Sequence, residues 1–172
     1  MQEKEQEREE APELSPAFSL RLDEQLCFPL YATSRQMTRL YGALLEPLGL
    51  TYPQYLVLLV LWDKTPRTVT EIGVELQLNT NTLTPLLKRL EQLAVVERTR
   101  RTTDERVVEV TLTPEGEALR EKCLTIPARL FATLGFDANK VRLLRDLLGE
   151  LNLCLWEATA RQGNDESPPE QE

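Results

Sequence analysis

A cysteine in an apolar, tyrosine-bearing stretch is the first residue of this sequence whose type could carry out redox chemistry. Cys27 lies in LDEQLCFPLYATSRQMTRLY, and Cys123 and Cys154 lie far from it and from each other, so no CxxC metal or redox pair exists. A thiol becomes a nucleophile as thiolate, which the positive end of a helix favours. Pro29 could mark such a helix start. The alternative is that Cys27 is an inert core residue, the usual state of a cysteine in an apolar run.

The sequence lacks the residues that most other kinds of catalytic site require. The chain contains no histidine, which excludes Ser–His–Asp and Cys–His catalysis and most catalytic zinc sites. It has no glycine-rich phosphate loop. We therefore expect a protein that is not an enzyme and that holds no metal or cofactor.

The acidic excess of the chain is confined to its ends. Residues 1–13 carry six acidic and two basic groups, residues 163–172 carry four acidic groups, and together they account for the net charge of −8. The intervening neutral body contains a basic cluster, which is either a nucleic-acid-binding face or an ordinary solvated face. The cluster consists of Lys88, Arg89, Arg98, Arg100, Arg101 and Arg106.

Apolar periodicity predicts the elements that would position these groups. A long helix is expected from Leu20 to about Glu46, with Pro29 either kinking it or marking its start, followed by a break and the buried helix QYLVLLVLW. A short helix, TVTEIGVELQL, with Thr70 as a possible cap comes next. A second helix, TLTPLLKRLEQL, follows, and with Thr82 as its N-cap Pro85 falls in the first turn and costs no hydrogen bond.

A charged tip, RTTDE, joins two strand candidates, AVVERTR and RVVEVTL. Helix, turn, helix and basic hairpin predict a mainly α fold, a winged helix-turn-helix with a two-stranded β-hairpin wing. A helix capped by Thr113, with Pro127 as a possible kink, and a last leucine-rich helix follow. One small domain cannot bury all these apolar faces, so we expect a helical dimerisation region. The predicted boundaries are acidic tails at 1–19 and 161–172, both expected to be disordered, a dimerisation region at 20–50 and 113–160, and a DNA-binding region at 51–112.

The stretch DERVVEVTLTPEG resembles the wing motif of the MarR family of winged-helix repressors, an Asp–x–Arg followed by Leu–Thr. More narrowly, LDEQLCFPLYATSRQMTRLY, LTYPQYLVLLVLW and LTPLLKRLEQ are similar to the organic hydroperoxide resistance regulators within that family. The resemblance covers about Leu20 to Leu155. It implies a homodimeric repressor that leaves double-stranded operator DNA when a cysteine is oxidised by an organic hydroperoxide.

The resemblance assigns DNA contacts to the second helix and the wing. The helix would enter the major groove, while Arg106, held in place by Asp104, would enter the narrow minor groove. Asp104 and Arg106 could instead form only a weak hairpin ion pair. The predicted DNA-binding residues are Asn81, Thr82, Thr84, Lys88, Arg89, Arg98, Arg100, Arg101, Asp104 and Arg106.

The resemblance also makes Cys27 the redox sensor and gives Tyr31, Tyr41 and Tyr52 thiolate-supporting roles. Tyr31 is one helical turn from Cys27. Tyr41 is fourteen residues on, about 21 Å along a continuous helix, so it would reach only the cysteine of a partner. The alternative is that all three are core tyrosines.

Several alternatives remain open from the sequence. Oxidised Cys27 would be capped by a low-molecular-weight thiol or joined to a resolving cysteine; Ala132 occupies about the expected resolving position, and we expect Cys123 and Cys154 to be core or interface residues. A repressor of the same fold induced by an aromatic ligand, and a thiol peroxidase, are the rival functions. No apolar run reaches the ~18 residues of a membrane span and no signal peptide is evident, so we expect a cytoplasmic protein without membrane contact.

Overall fold

The computed structural model describes residues 20–164, and the chain divides into two compact units after Cys123. The predicted tail at 1–19 and most of the second tail lie outside the described residues. The described part is mainly helical, with one small sheet. Its elements are α1 (Cys27–Leu45), α2 (Tyr52–Asp63), β1 (Arg67–Thr68), α3 (Val69–Leu76), α4 (Thr80–Gln92), β2 (Val96–Arg101), β3 (Asp104–Leu112), α5 (Pro114–Cys123), α6 (Ile126–Leu134) and α7 (Ala138–Asn164).

The first long helix begins later than predicted. A single 3-10 turn occupies Leu22–Glu24, and α1 starts at Cys27 rather than at Leu20. Pro29 is the third residue of α1, where its missing N–H costs no helical hydrogen bond. Of the two interpretations of Pro29, the helix start is therefore the correct one.

Helix α2 is apolar on all sides and is buried in the centre of the first unit. It packs against α1, α3, α4, α5 and β3. A capping box of Thr51 and Gln54 starts it, and the Gln54 side chain accepts the Thr51 N–H at 2.8 Å. Each fully buried leucine around it contributes about 1.5–3 kcal/mol relative to an exposed one. The fully buried core side chains include Leu45, Val57, Leu58, Leu61, Ile72, Leu83, Leu87 and Leu90.

Both helices of the helix-turn-helix start before the positions predicted for their caps. Thr68, not Thr70, caps α3, because Glu71 lies three residues on and completes a capping box with it. Asn79, not Thr82, caps α4 by accepting the Thr82 N–H at 2.9 Å. Pro85 is therefore the sixth residue of α4, beyond the first turn, and the prediction that it costs no hydrogen bond was wrong.

The predicted hairpin forms, and a third strand joins it. Strands β2 and β3 pair antiparallel on either side of a two-residue tip, so they extend into the stretch predicted as tip. The two-residue strand β1 pairs with β3, which gives the order β1-β3-β2. The register shifts between Arg100 and Arg101, next to the tip.

Thr113 starts α5 as predicted, and its hydroxyl accepts the Gly116 N–H at 3.1 Å and donates to the Ala94 carbonyl at 2.7 Å. The helix does not continue through Pro127 with a kink. It ends at Cys123, and α6 begins at Ile126 with Pro127 in its first turn.

In the second unit, helix α7 continues to Asn164, four residues beyond the predicted helical region. It leaves many large apolar side chains exposed to solvent. These are Leu143, Leu144, Leu147, Leu148, Leu153, Leu155 and Trp156.

Within residues 20–164, no single helix is both long and apolar enough to cross a membrane. The stretches Cys27–Leu48 and Tyr52–Asp63 pass such a test only as a pair, by length and composition, and they meet at a bend of 74°.

The contact between α5 and the start of the wing predicts the effect of one glycine substitution. A Cβ at Gly116 would lie 2.1 Å from the backbone oxygen of Val95, so Gly116→Ala requires the backbone to move. We expect a loss of about 1–3 kcal/mol in the free energy of unfolding, measured by urea denaturation. Gly42→Ala is the matched control: nothing lies within 4 Å of its Cβ, and we expect a gain of about 0.5–1 kcal/mol. Equal stability of the two variants would contradict the close approach.

Candidate functional site

A groove of about 600 Å³ lies between the two helices of the helix-turn-helix and the wing. The starts of α3 and α4 form one wall with threonine side chains, and the wing forms the other with arginines. The groove brings Thr84, Arg98, Arg101 and Arg106 together, four of the residues predicted from sequence. Its polar lining consists of Thr68, Thr70, Thr80, Thr84, Arg98, Arg101 and Arg106.

The first turns of α4 expose short polar side chains. Asn81 and Thr82 are exposed, whereas the half-buried Thr84 hydroxyl donates to the Thr80 carbonyl at 2.7 Å. One turn on, Lys88 and Arg89 are exposed. Exposed side chains at the start of a recognition helix are those that reach base edges and phosphates in a major groove.

Sequence reasoning missed three threonines of the groove, Thr68, Thr70 and Thr80. Their hydroxyls can bond phosphate oxygens. A usable signal was present, because Asn79 is a strong N-cap residue and its recognition would have placed Thr80 in the first turn of α4.

Two of the wing arginines are already paired. The Arg98 guanidinium donates to the Glu91 carboxylate, with Nε 3.0 Å from Oε2, and thereby ties β2 to α4. This hydrogen bond holds the pKa of Glu91 below its usual value. The Arg101 guanidinium donates to Glu109, with Nε 3.0 Å from Oε1. Arg98 therefore connects the helix to the sheet, and its predicted contact with DNA stays a prediction.

Arg106 and Arg100 are exposed on the wing. The predicted contact between Asp104 and Arg106 exists in a different form. The Asp104 carboxylate accepts the backbone N–H of Arg106 at 3.0 Å and so shapes the turn, while the Arg106 guanidinium has no ion pair among the described residues. The Arg106 side chain is thus free to meet an anion.

The predicted sensor thiol lies at the positive end of a helix. Cys27 is exposed and is the first residue of α1. The first N–H groups of a helix have no partner within it, so they favour an anion at this end. Tyr31, one turn on, is exposed, and its hydroxyl accepts a hydrogen bond from Arg35 Nη1 at 2.6 Å. Arg35, whose guanidinium also lies 5.5 Å from the Tyr31 ring centre, was not predicted.

The other two predicted tyrosines form a separate pair. The rings of Tyr41, on α1, and Tyr52, at the start of α2, lie 4.4 Å apart. Burial raises the pKa of both phenols, so their hydroxyls remain protonated donors at neutral pH.

Behind this pair lies Tyr55, which sequence reasoning missed. Its ring is 5.8 Å from that of Tyr41 and only 2% exposed, and burial, with smaller contributions from Tyr41, Cys123 and Tyr52, raises its pKa to about 12. Tyr55 in turn meets the edge of Trp62 at 6.2 Å, and Trp62 Nε1 donates to the Gly116 carbonyl at 3.0 Å. The i, i+3 spacing of Tyr52 and Tyr55 was the available signal.

Cys27 and the tyrosine pair do not meet within one chain. Cys27 and Tyr41 belong to the same uninterrupted helix, which separates them by about 21 Å along its axis. Of the three predicted tyrosines, only Tyr31 is near Cys27 along the chain.

The remaining cysteines differ in environment. Cys123 is 3% exposed at the end of α5, and burial raises the pKa of its thiol, in agreement with the predicted core position. Cys154 is exposed on α7, and all three thiols are free. In the part of the chain that the structure describes, no group of acidic or cysteine side chains is arranged to hold a metal ion.

Comparison with known proteins points to one class. The family described as transcriptional regulator SarA/Rot matches residues 39–123. The organic hydroperoxide resistance transcriptional regulator of Bacillus subtilis (strain 168) is 43% identical over 129 residues, which cover 75% of this chain and 88% of that protein.

Solved structures agree with this match. Reduced AbfR bound to DNA superposes with a TM-score of 0.67 at 38% identity, covering 78% of this chain and 94% of that one; AbfR comes from Staphylococcus epidermidis. Wild-type MarR from E. coli, in its apo form, gives a TM-score of 0.57 at 28% identity, covering 74% and 96%. The helix-turn-helix, the wing and these relatives together place the chain in the MarR family of winged-helix, DNA-binding transcriptional regulators, in the branch of the organic hydroperoxide resistance regulators.

Proposed function

We propose that this regulator is a homodimeric repressor that senses organic hydroperoxides through Cys27 and then releases its operator. The observation that carries the proposal is the exposed Cys27 thiol at the N-terminal end of α1. A reactive thiol needs access to its oxidant and a positive environment. The exposure of Cys27 supplies the first, and the helix N-terminus supplies the second. The name of the Bacillus relative supports the class of oxidant.

The proposed chemistry is one oxidation event. The Cys27 thiolate attacks the terminal, hydrogen-bearing oxygen of the hydroperoxide, a sulfur–oxygen bond forms, and the O–O bond breaks. Cys27 becomes a sulfenic acid, while the alkoxide leaves and takes a proton to give the alcohol. Cys123 is buried with a raised pKa, so a low-molecular-weight thiol is the better candidate to cap the sulfenic acid.

The tyrosine pair joins the site through the dimer. A two-fold axis that sets the α1 helices of two protomers antiparallel brings Cys27 of one to Tyr41 and Tyr52 of the other, and does so twice. The two phenols are protonated at neutral pH and can donate to a thiolate. Oxidation replaces the thiolate acceptor with a larger, neutral group, so these donors must rearrange.

Exposed apolar surface in each unit supports the dimer. In the first unit, Leu26, Phe28 and Tyr31 are exposed at the start of α1; in the second, α7 exposes a row of leucines. Monomeric proteins rarely leave such contiguous apolar patches in water. Burial against a second copy removes them, as the family resemblance implies.

In this proposal α4 reads the major groove of the operator and the wing reaches the minor groove. Cytoplasmic operation follows from the need to meet double-stranded DNA. The base and phosphate contacts are those predicted from sequence. On the described wing, Arg100 and Arg106 are exposed and have no ion pair, whereas Arg98 connects α4 to the sheet.

The unpaired, exposed Arg106 side chain leads to a prediction about operator affinity. Arg106→Ala should weaken operator binding by about 1–3 kcal/mol, because it removes a charged contact from the wing. Fluorescence anisotropy at moderate salt measures the affinity, and circular dichroism checks the fold. Arg120→Ala, which removes the same charge from an exposed position on α5, is the control and should bind as before. Unchanged affinity of Arg106→Ala would show that this wing does not contact DNA.

The apolar faces predict a dimer at micromolar concentration. Light scattering should give twice the chain mass of 19.7 kDa. The operator should be pseudo-palindromic, with half-sites about one helical turn apart. A monomeric mass together with intact operator binding would contradict this prediction.

The proposed role of Cys27 predicts that its substitution abolishes the response to peroxide and leaves operator binding intact. Cys27→Ser should bind operator normally, because serine preserves size, but cumene hydroperoxide should no longer release it, because serine cannot form a sulfenic acid. Cys123→Ser and Cys154→Ser are the matched controls and should still respond. Tyr41→Phe should slow the response, since it removes a donor to the partner's thiolate. Release of Cys27→Ser by the peroxide, or release of the native protein without a mass increase on Cys27, would overturn the proposed sensor.

A further inference from the structure

An irregularity in the strand pairing of the wing directs the side chain of one arginine away from the hairpin tip. Strands β2 and β3 pair in regular register from Val96 to Arg100, opposite Val108, and the register then shifts so that Arg101 lies opposite Asp104. Such irregularities re-aim the side chain at which they occur. Arg101 reaches back along β3 to Glu109, and both its Nε and its Nη2 donate to Glu109 Oε1.

This contact places the Arg101 guanidinium near the start of α3. Glu109 lies opposite Thr68 across the β1–β3 pairing, and Thr68 is the N-cap of α3. The pKa of Arg101 is raised, chiefly by Glu109 and also by Glu71 in the first turn of α3. Arg101 therefore forms part of the wall of the groove, opposite the threonines of the helices.

The three arginines of the groove are held differently. Arg98 is tied to Glu91 on the α4 side, and Arg106 has no ion pair in the described part of the chain. Arg101 is tied to Glu109 but remains 45% exposed at its side chain. A guanidinium carries five N–H donors, and the two donated to Glu109 leave three for a phosphate oxygen.

We propose that Glu109 is a positioning residue for DNA recognition: it holds Arg101 in the groove between wing and helices, where the guanidinium meets one backbone phosphate of a correctly seated operator. This rests on DNA binding by α4 and the wing. The carboxylate also removes one unit of net positive charge from the groove, so it lowers attraction to DNA in general. Glu109 consequently favours the operator over other sequences rather than raising affinity for all DNA.

The test measures discrimination between two DNA duplexes by the reduced, full-length protein. One duplex is an operator selected from a random-sequence pool with the native protein, and the other is a shuffled duplex of the same composition. Dissociation constants at several salt concentrations give the ratio of the two affinities and the salt dependence of each. No peroxide is present, so the result is independent of the role of Cys27.

Four variants separate positioning from charge. Glu109→Ala removes acceptor and charge, Glu109→Gln keeps an acceptor oxygen at the same place, and Arg101→Ala removes the held group. Glu105→Ala is the matched control, because it removes a carboxylate from the exposed wing for which the structure gives no ion pair.

We expect Glu109→Ala to lower the affinity ratio five- to tenfold, by weaker operator binding and stronger binding to the shuffled duplex. Glu109→Gln should recover at least half of the native ratio, and Glu105→Ala should leave it within twofold. In the Arg101→Ala background, Glu109→Ala should change the ratio no further. Thermal unfolding of each variant identifies any loss of fold. Glu109→Thr is added because threonine removes the carboxylate and favours a β-strand.

Three results would overturn the proposal. These are an unchanged ratio in both Glu109→Ala and Glu109→Thr, a ratio in Glu109→Gln as low as in Glu109→Ala, and a further fall in the ratio when Glu109→Ala is added to Arg101→Ala.

Discussion

Helix α2 is apolar on every side and has to be surrounded by other elements to exclude water. Its neighbours are α1, α3, α4, α5 and β3. Because a helix without a polar face is unstable in water, the packing of these elements around α2 determines the arrangement of the first unit. One end of α2 carries Tyr52, which meets Tyr41, and the other carries Trp62, which bonds to Gly116 beside the first residues of the wing. Helix α2 therefore stabilises the core and also connects the proposed sensing tyrosines to the DNA-binding elements.

An acidic chain can bind DNA when its acidic excess and its basic groups belong to different parts of the sequence. The acidic excess lies in the terminal residues, while the groove beside α4 is lined by three arginines. Carboxylates next to the groove fix the positions of two of these arginines. Glu91 and Glu109 each restrain one arginine, and the backbone turn at Asp104 presents Arg106. Restraint of long cationic side chains reduces the entropy lost on binding and favours one geometry over many.

A helix is straight and rises about 1.5 Å per residue, which constrains the proposed sensor. Cys27 and Tyr41 share a face of α1 but lie about four turns apart, so no side-chain rotation joins them. A thiolate site built from both requires a second protomer. Dimerisation and sensing are therefore one requirement in this proposal, and the exposed apolar residues at the start of α1 serve both.

The sequence alone determined the fold class, the order of helices and hairpin and the start of α5 at Thr113, because local periodicity and capping encode these. It assigned the wrong caps to α3 and α4, since adjacent polar residues compete as caps. It also began α1 too early, because apolar residues at helical spacing continue ahead of Cys27. Only the tertiary structure decided which charged side chains pair, namely Arg98 with Glu91 and Arg101 with Glu109. It also decided the addition of the third strand and the burial of Tyr55 behind Tyr41. They join residues that are distant along the chain or on different elements, and no local pattern specifies which side chains will meet.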